Sequence, residues 1–208
     1  MLLAISFVLA YLIGSIPSGV WIGRIFCHKD PRDAGSHNIG TTNAYRVLGP
    51  TAGTEVLILD ILKGTLGASL PRIFGYSQHW LILVCGLAAV AGHVASIFLH
   101  FKGGKAVATS AGILLAYNPG MFLLASSIFV GTILVTSTVS IASILGVFAM
   151  ALVALLIHDW VLAVIAAALT VFFVWRHLPN LIRIREGKEN IVHFGLYYSW
   201  LKHHRKSN

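Results

Sequence analysis

Residues 106–175 carry one formally charged side chain, Asp159. Such a stretch does not suit the surface of a water-soluble domain, where about a quarter of residues are charged. A bilayer selects uncharged runs of helix length, because a helix satisfies its own backbone polar groups. The whole chain agrees: 57% of its 208 residues are hydrophobic and 11% are charged. The fold class expected is an all-α polytopic membrane protein. The formal net charge of +8 does not imply nucleic acid, because the basic residues sit in short connections between apolar runs, where positive-inside retention accounts for them. Cys27 and Cys85 have neither metal-ligand spacing nor the pattern of a disulfide framework.

The apolar runs lie at residues 2–23, 51–74, 80–99, 121–137, 141–157 and 161–175, with a shorter one at 106–117. The first has no basic leader and no small-residue cleavage site, so it reads as a retained span; Gly14, Pro17 and Gly19 predict a bend or break in it. The second carries Glu55, Asp60 and Lys63. Charges at depth cost roughly 2.5–3.5 kcal/mol each on insertion scales, so the three are expected to face the bundle interior or each other, and Asp60 and Lys63, three residues apart, can pair on one helical face. Gly64 and Gly67 would allow close helix contact. The run at 106–117 reaches roughly 18 Å against a hydrocarbon core of ~30 Å, too short to span comfortably. Of the 15 Lys and Arg, all except Lys63 and Arg72 fall on one side if the spans alternate. That asymmetry predicts about seven crossings, N-terminus outside and C-terminus cytoplasmic, in a single domain over residues 1–208.

Three polar clusters then share the cytoplasmic face. The first is Gly35-Ser36-His37-Asn38-Ile39-Gly40-Thr41-Thr42-Asn43 with Arg46; the second is Gly92-His93 followed by Lys102-Gly103-Gly104-Lys105; the third is His177, Asn180, Arg183 and Arg185. Guanidinium and ammonium groups, amides, hydroxyls and a glycine-rich backbone able to form a nest of N–H groups make an anion site, suited to phosphate. Asp30, Asp33, Glu186 and Glu189 flank it. Each cluster also has a plainer reading. Loops are built from Gly, Ser, Asn and Thr; Lys102 and Lys105 can anchor at the interface; His93 can hydrogen-bond between helices. Arg183, Arg185 and the tail His203-His204-Arg205-Lys206 can meet lipid headgroups. Hydroxyls at Thr136, Ser137, Thr138, Ser140 and Ser143 are expected to cap or pack.

Together these segments resemble the three signature loops of the PlsY family, bacterial integral-membrane acyltransferases. Over essentially the whole chain the resemblance implies transfer of a fatty acyl group from acyl-phosphate to the 1-hydroxyl of glycerol 3-phosphate, giving lysophosphatidic acid and phosphate. It implies a multi-pass protein of the bacterial cell membrane with its site on the cytoplasmic side, working as a monomer with no metal and no cofactor. Catalytic roles would fall to Ser36, Lys105, His177 and Asn180. Phosphate contacts would fall to Gly35, Ser36, Asn38, Gly40, Thr41, Thr42, Asn43, Arg46, Lys102, Gly103, Gly104, Lys105, His177, Asn180 and Arg183. The chain departs from the family pattern at His37 and Ala106, where glycine is usual, and at Thr41, where alanine is usual.

Two rivals compete. His28 and Asp33 have the H-x4-D spacing of thioester-dependent glycerolipid acyltransferases, but no soluble α/β domain accompanies them. A carrier for a small organic anion would also use broken helices and a basic recess. Polar residues gathered on one face favour the enzyme.

Overall fold

The computed structural model describes residues 1–204; Arg205 and Lys206 of the expected basic tail lie outside the described residues. The described chain is helical: α1 (Leu2–Ser15), α2 (Ser18–Phe26), α3 (Thr41–Leu48), α4 (Pro50–Ile73), α5 (Trp80–Val94), α6 (Val107–Tyr117), α7 (Pro119–Thr136), α8 (Val139–Leu156), α9 (Trp160–Arg185) and α10 (Leu196–His204), with 3-10 turns at Pro31–Asp33 and Ile97–Leu99. By length and apolarity α7, α8 and α9 can each cross a membrane, and α1 with α2 makes a fourth candidate if the pair is one span. The expected break in the first run is present, a 42° bend at Ile16-Pro17. The chain divides into two compact units, Met1–Phe122 and Leu123–Asn208.

In the first unit α4 is the hub, packed by α1, α2, α3, α5 and α6. Its buried residues Val56, Asp60, Lys63, Gly64, Gly67, Ala68 and Pro71 recur every three or four positions and form one stripe. Small residues let backbones close up, since packing and not hydrophobicity drives helix association in lipid. A side chain at Gly64 would meet the Thr109 carbonyl of α6, and one at Gly67 would meet Ala10 and Ala89. The predicted Asp60–Lys63 pair forms at 2.8 Å. Glu55, expected inside, is exposed. It lies in the second turn of α4, near enough to the helix end for a charge to leave the hydrocarbon.

Two other boundaries differ from expectation. The run at 80–99 is a helix only to Val94, because the chain turns there: Ser96 Oγ donates to the Ser15 carbonyl and the Phe101 N–H to the Ser96 carbonyl. In the second unit, where α8 packs on α9, the helix of the last apolar run does not stop at Trp175 but continues as α9 through Pro179 to Arg185. Asp159 starts it as N-cap, accepting from the Leu162 N–H at 3.1 Å.

Candidate active site

The first cluster is half loop, half helix: Thr41, Thr42, Asn43 and Arg46 stand on α3, with Gly40 as its N-cap. The signal available in the sequence was a glycine followed by hydroxyls, then the Gly49-Pro50 stop. Asn43 organises the loop. It is 1% exposed, its Oδ1 accepts from the Ser36 N–H at 2.8 Å, and its Nδ2 faces the carbonyls of Pro31, Ala34 and Asn38. Both ends of the amide are committed to backbone, so in this structure the side chain serves to hold the loop. The expected N–H nest is also smaller, since Ser36 N–H donates to Asn43 and Gly40 N–H donates to Asn38 Oδ1 at 2.9 Å. The first turn of α3 has no side-chain cap and its Asn43 N–H donates to the Gly40 carbonyl, so Thr41 and Thr42 carry the N–H groups that a helix start leaves without intrahelical acceptors. There the Thr41 hydroxyl is buried without a hydrogen-bond partner among the described residues. Ser36, Thr42 and Arg46 are exposed. At the base of the loop Asp30 takes Arg32 and Arg24 at 2.7 and 2.9 Å. The Arg32 hydrogen bond holds its carboxyl down at about 2.

The second cluster reaches the same end of the first unit. Ile39 of the first loop and Leu99 of the second pack with Val20 of α2 in one apolar cluster. The double glycine has a steric cause: a side chain at Gly103 would strike the His93 and Val94 carbonyls, and one at Gly104 would strike the His93 ring. Gly104 N–H donates to the His93 carbonyl at 3.1 Å. Lys102 is exposed and Lys105 half-buried, immediately before α6.

The third cluster belongs to the second unit and sits on the last turns of α9. His177 is 3% exposed and its Nδ1 lies 2.8 Å from the Phe173 carbonyl. A carbonyl only accepts, so Nδ1 carries the proton, and in the neutral ring Nε2 keeps its lone pair. Glu189, read as flanking, is central. Its Oε1 accepts from Asn180 Nδ2 at 2.6 Å and Ser140 Oγ at 3.1 Å, and its Oε2 from Arg183 Nε at 2.8 Å. The carboxylate thus orients Asn180 and Arg183, and Ser140 enters a cluster in which it was not expected. The neighbouring hydroxyls cap and tether as expected: Thr136 Oγ1 accepts from the Thr138 N–H, and Ser137 Oγ donates to the Phe194 carbonyl at 2.8 Å. Shallow apolar grooves run along α7, one lined by Ile128, Gly131, Val135 and Leu145. No group of three His, Cys, Asp or Glu side chains placed to hold a metal occurs among the described residues.

Residues 4–187 match the family model for glycerol-3-phosphate acyltransferase. The chain belongs to that family. Among its relatives, the glycerol-3-phosphate acyltransferase of Latilactobacillus sakei is 64% identical over 99% of this chain and 100% of its own length. That of Lacticaseibacillus casei is 58% identical over 99% of each. The crystal structure of PlsY, an integral membrane glycerol 3-phosphate acyltransferase in its glycerol 3-phosphate form, is similar with a TM-score of 0.85 and 32% identity, covering 91% of this chain and 95% of that one. A second form of the same protein, with lysophosphatidic acid, gives a TM-score of 0.81.

Against the family pattern, two departures acquire a conformational meaning. His37 and Ala106, the two positions at which the resemblance leads glycine to be expected, both adopt left-handed backbone, φ 56° and 60°. Glycine takes that region without strain, whereas a side chain costs roughly 1–2 kcal/mol there. His37 recovers part of this through its Nδ1, 2.8 Å from the Arg32 carbonyl.

Proposed function

We propose that this chain transfers a fatty acyl group from acyl-phosphate to the 1-hydroxyl of glycerol 3-phosphate, releasing lysophosphatidic acid and inorganic phosphate. The observation that carries the reading is the second loop, folded over His93 and presenting Lys105 at the start of α6, while its Leu99 packs in one cluster with Ile39 of the loop that leads into the first turn of α3. Two such anion-directed elements at one end of one unit suit two phosphates. An acyl-phosphate is a mixed anhydride with a good leaving group, so no covalent enzyme intermediate is needed, and positioning with charge stabilisation supplies the rate.

In this scheme Arg46, Lys102, Lys105, Thr41, Thr42, Ser36 and the backbone at Gly35, Asn38 and Gly103 bind phosphate oxygens; in the second unit the same role falls to His177, Asn180 and Arg183. The glycerol hydroxyl oxygen attacks the acyl carbonyl, the carbon–oxygen bond to phosphate breaks, and phosphate departs with the bonding pair. The hydroxyl proton passes to His177 Nε2 or to a phosphate oxygen of the donor. The acyl chain lies along lipid-facing apolar surface. The protein acts as a monomeric domain of the bacterial cell membrane with about seven crossings, its N-terminus outside and its site cytoplasmic. Needing no redox step, the reaction proceeds without a cofactor.

Purified protein in detergent or lipid, given acyl-phosphate and glycerol 3-phosphate, should yield lysophosphatidic acid and phosphate in equal amounts. Absence of both would refute the reading, and uptake of glycerol 3-phosphate into sealed vesicles without acylation would favour a carrier. Cysteines placed at positions 36, 102 and 180 should all label from the cytoplasmic side; one labelling from outside would refute the topology.

A further inference from the structure

Asp60, Lys63 and His93 are 2%, 6% and 4% exposed, in the middle of the first unit. Burying an ion pair costs more desolvation than the attraction between its members usually returns, and an apolar pair would pack the same helices without that cost. Packing alone therefore does not account for the charges. Their contacts point elsewhere. Lys63 Nζ donates at 2.8 Å to the Ile16 carbonyl, at the break between α1 and α2. Ser18 Oγ, on the first residue of α2, donates to Asp60 Oδ1 at 2.9 Å. Together they hold the start of α2, whose Val20 contacts Ile39 and Leu99 of the two site loops. The same Asp60 Oδ1 lies 3.9 Å from His93 Nδ1, which also meets Thr109 Oγ1 at 3.2 Å. The His93 ring and carbonyl are the surfaces on which Gly104 and Gly103 rest. Thr109, in the first turn of α6, braces the loop from beyond Lys105.

We infer that the buried Asp60–Lys63–His93 knot is the positioning centre of the Lys105 loop: His93 sets where the Gly103-Gly104 backbone lies, and Lys105 is aimed by that backbone. None of the three residues touches substrate. The inference deepens the acyltransferase reading and rests on it. It assigns to the charges in α4 a role in anion recognition that their pairing conceals, and it joins that role to the helix break, since the same ion pair holds both.

The test is the dissociation constant for glycerol 3-phosphate, measured by titration calorimetry in lipid nanodiscs, with melting temperature recorded alongside. Proteins compared are wild type, His93→Gln, the charge-free double variant D60N/K63M, and each of these combined with Lys105→Met. His93→Gln and D60N/K63M should each weaken binding about ten- to hundredfold, the scale of an ångström-level misplacement. Once Lys105 is replaced, adding either should change binding by no more than about twofold, the additivity limit for a shared path. A purely structural role would instead lower the melting temperature while its effect on binding persisted in the Lys105→Met background. Wild-type affinity in either variant, or losses that multiply with Lys105→Met, overturns the inference. If His93→Gln does not fold, D60N/K63M with and without Lys105→Met makes the same comparison. A wild-type protein that forms no lysophosphatidic acid would instead sink the acyltransferase reading, a distinguishable failure.

Discussion

Glu189 offers the sharpest prediction, because one carboxylate receives three donors. Asn180 and Ser140 address Oε1, Arg183 addresses Oε2, and the Glu189 side chain is 8% exposed. Glu189→Gln keeps the shape and one acceptor oxygen, so Asn180 and Ser140 retain a partner. Its new amide N–H₂ then confronts the Arg183 Nε–H, donor against donor. A charge-assisted hydrogen bond is worth roughly 1.5–3 kcal/mol. With the Arg183 side chain 35% exposed, solvent screens the pair and the lower end applies, about 1.5 kcal/mol. Glu189→Ala removes the acceptors of all three donors and should cost about 2.5–4.5 kcal/mol, the screened ion pair plus two hydrogen bonds of roughly 0.5–1.5 kcal/mol each. Denaturation by SDS in mixed micelles measures both, and the reaction assay should show the larger effect, since Asn180 and Arg183 lose their orientation together. Glu189→Gln with unchanged stability and unchanged turnover would refute the reasoning, for it would mean the carboxylate charge orients nothing.

Other outcomes follow from single contacts. Asp30→Asn removes a carboxylate held at about 2 against an ordinary 3.8. A depressed value contributes stability that is complete above the ordinary pKa and disappears as pH falls through about 2, so the melting difference between wild type and Asp30→Asn should be present at pH 7 and vanish near pH 2. With Arg24 exposed and Arg32 partly so, solvent screens both pairs and it should not exceed about 1 kcal/mol. Ala106→Gly relieves a left-handed φ and should raise stability by up to about 1 kcal/mol, whereas His37→Gly gains the same relief but loses the hydrogen bond to the Arg32 carbonyl and should come out near zero. Lys105→Ala should cut turnover by about a hundredfold or more, the scale of losing a charge-stabilising group. His28→Ala, an exposed loop position, should leave turnover within about twofold, within the usual range of surface substitutions.

A membrane-spanning helical chain, its first break and its Asp60–Lys63 pair were readable from sequence because hydrocarbon penalises charge and rewards helix-length apolar runs, and because residues three apart share a helix face. The cationic and hydrogen-bonding make-up of the polar clusters was readable for a similar reason: residue type alone carries charge and hydrogen-bonding capacity. Direction is another matter. That Asn43 turns inward to bind three carbonyls, that Glu189 gathers Asn180, Arg183 and Ser140, and that Glu55 escapes while Asp60 stays buried depends on contacts between residues distant along the chain. Tertiary structure also determined why Gly103 and Gly104 are glycines, through a histidine ten residues earlier lying against them. Local pattern places a side chain on a face of its own helix, and only packing against other segments decides what that face meets.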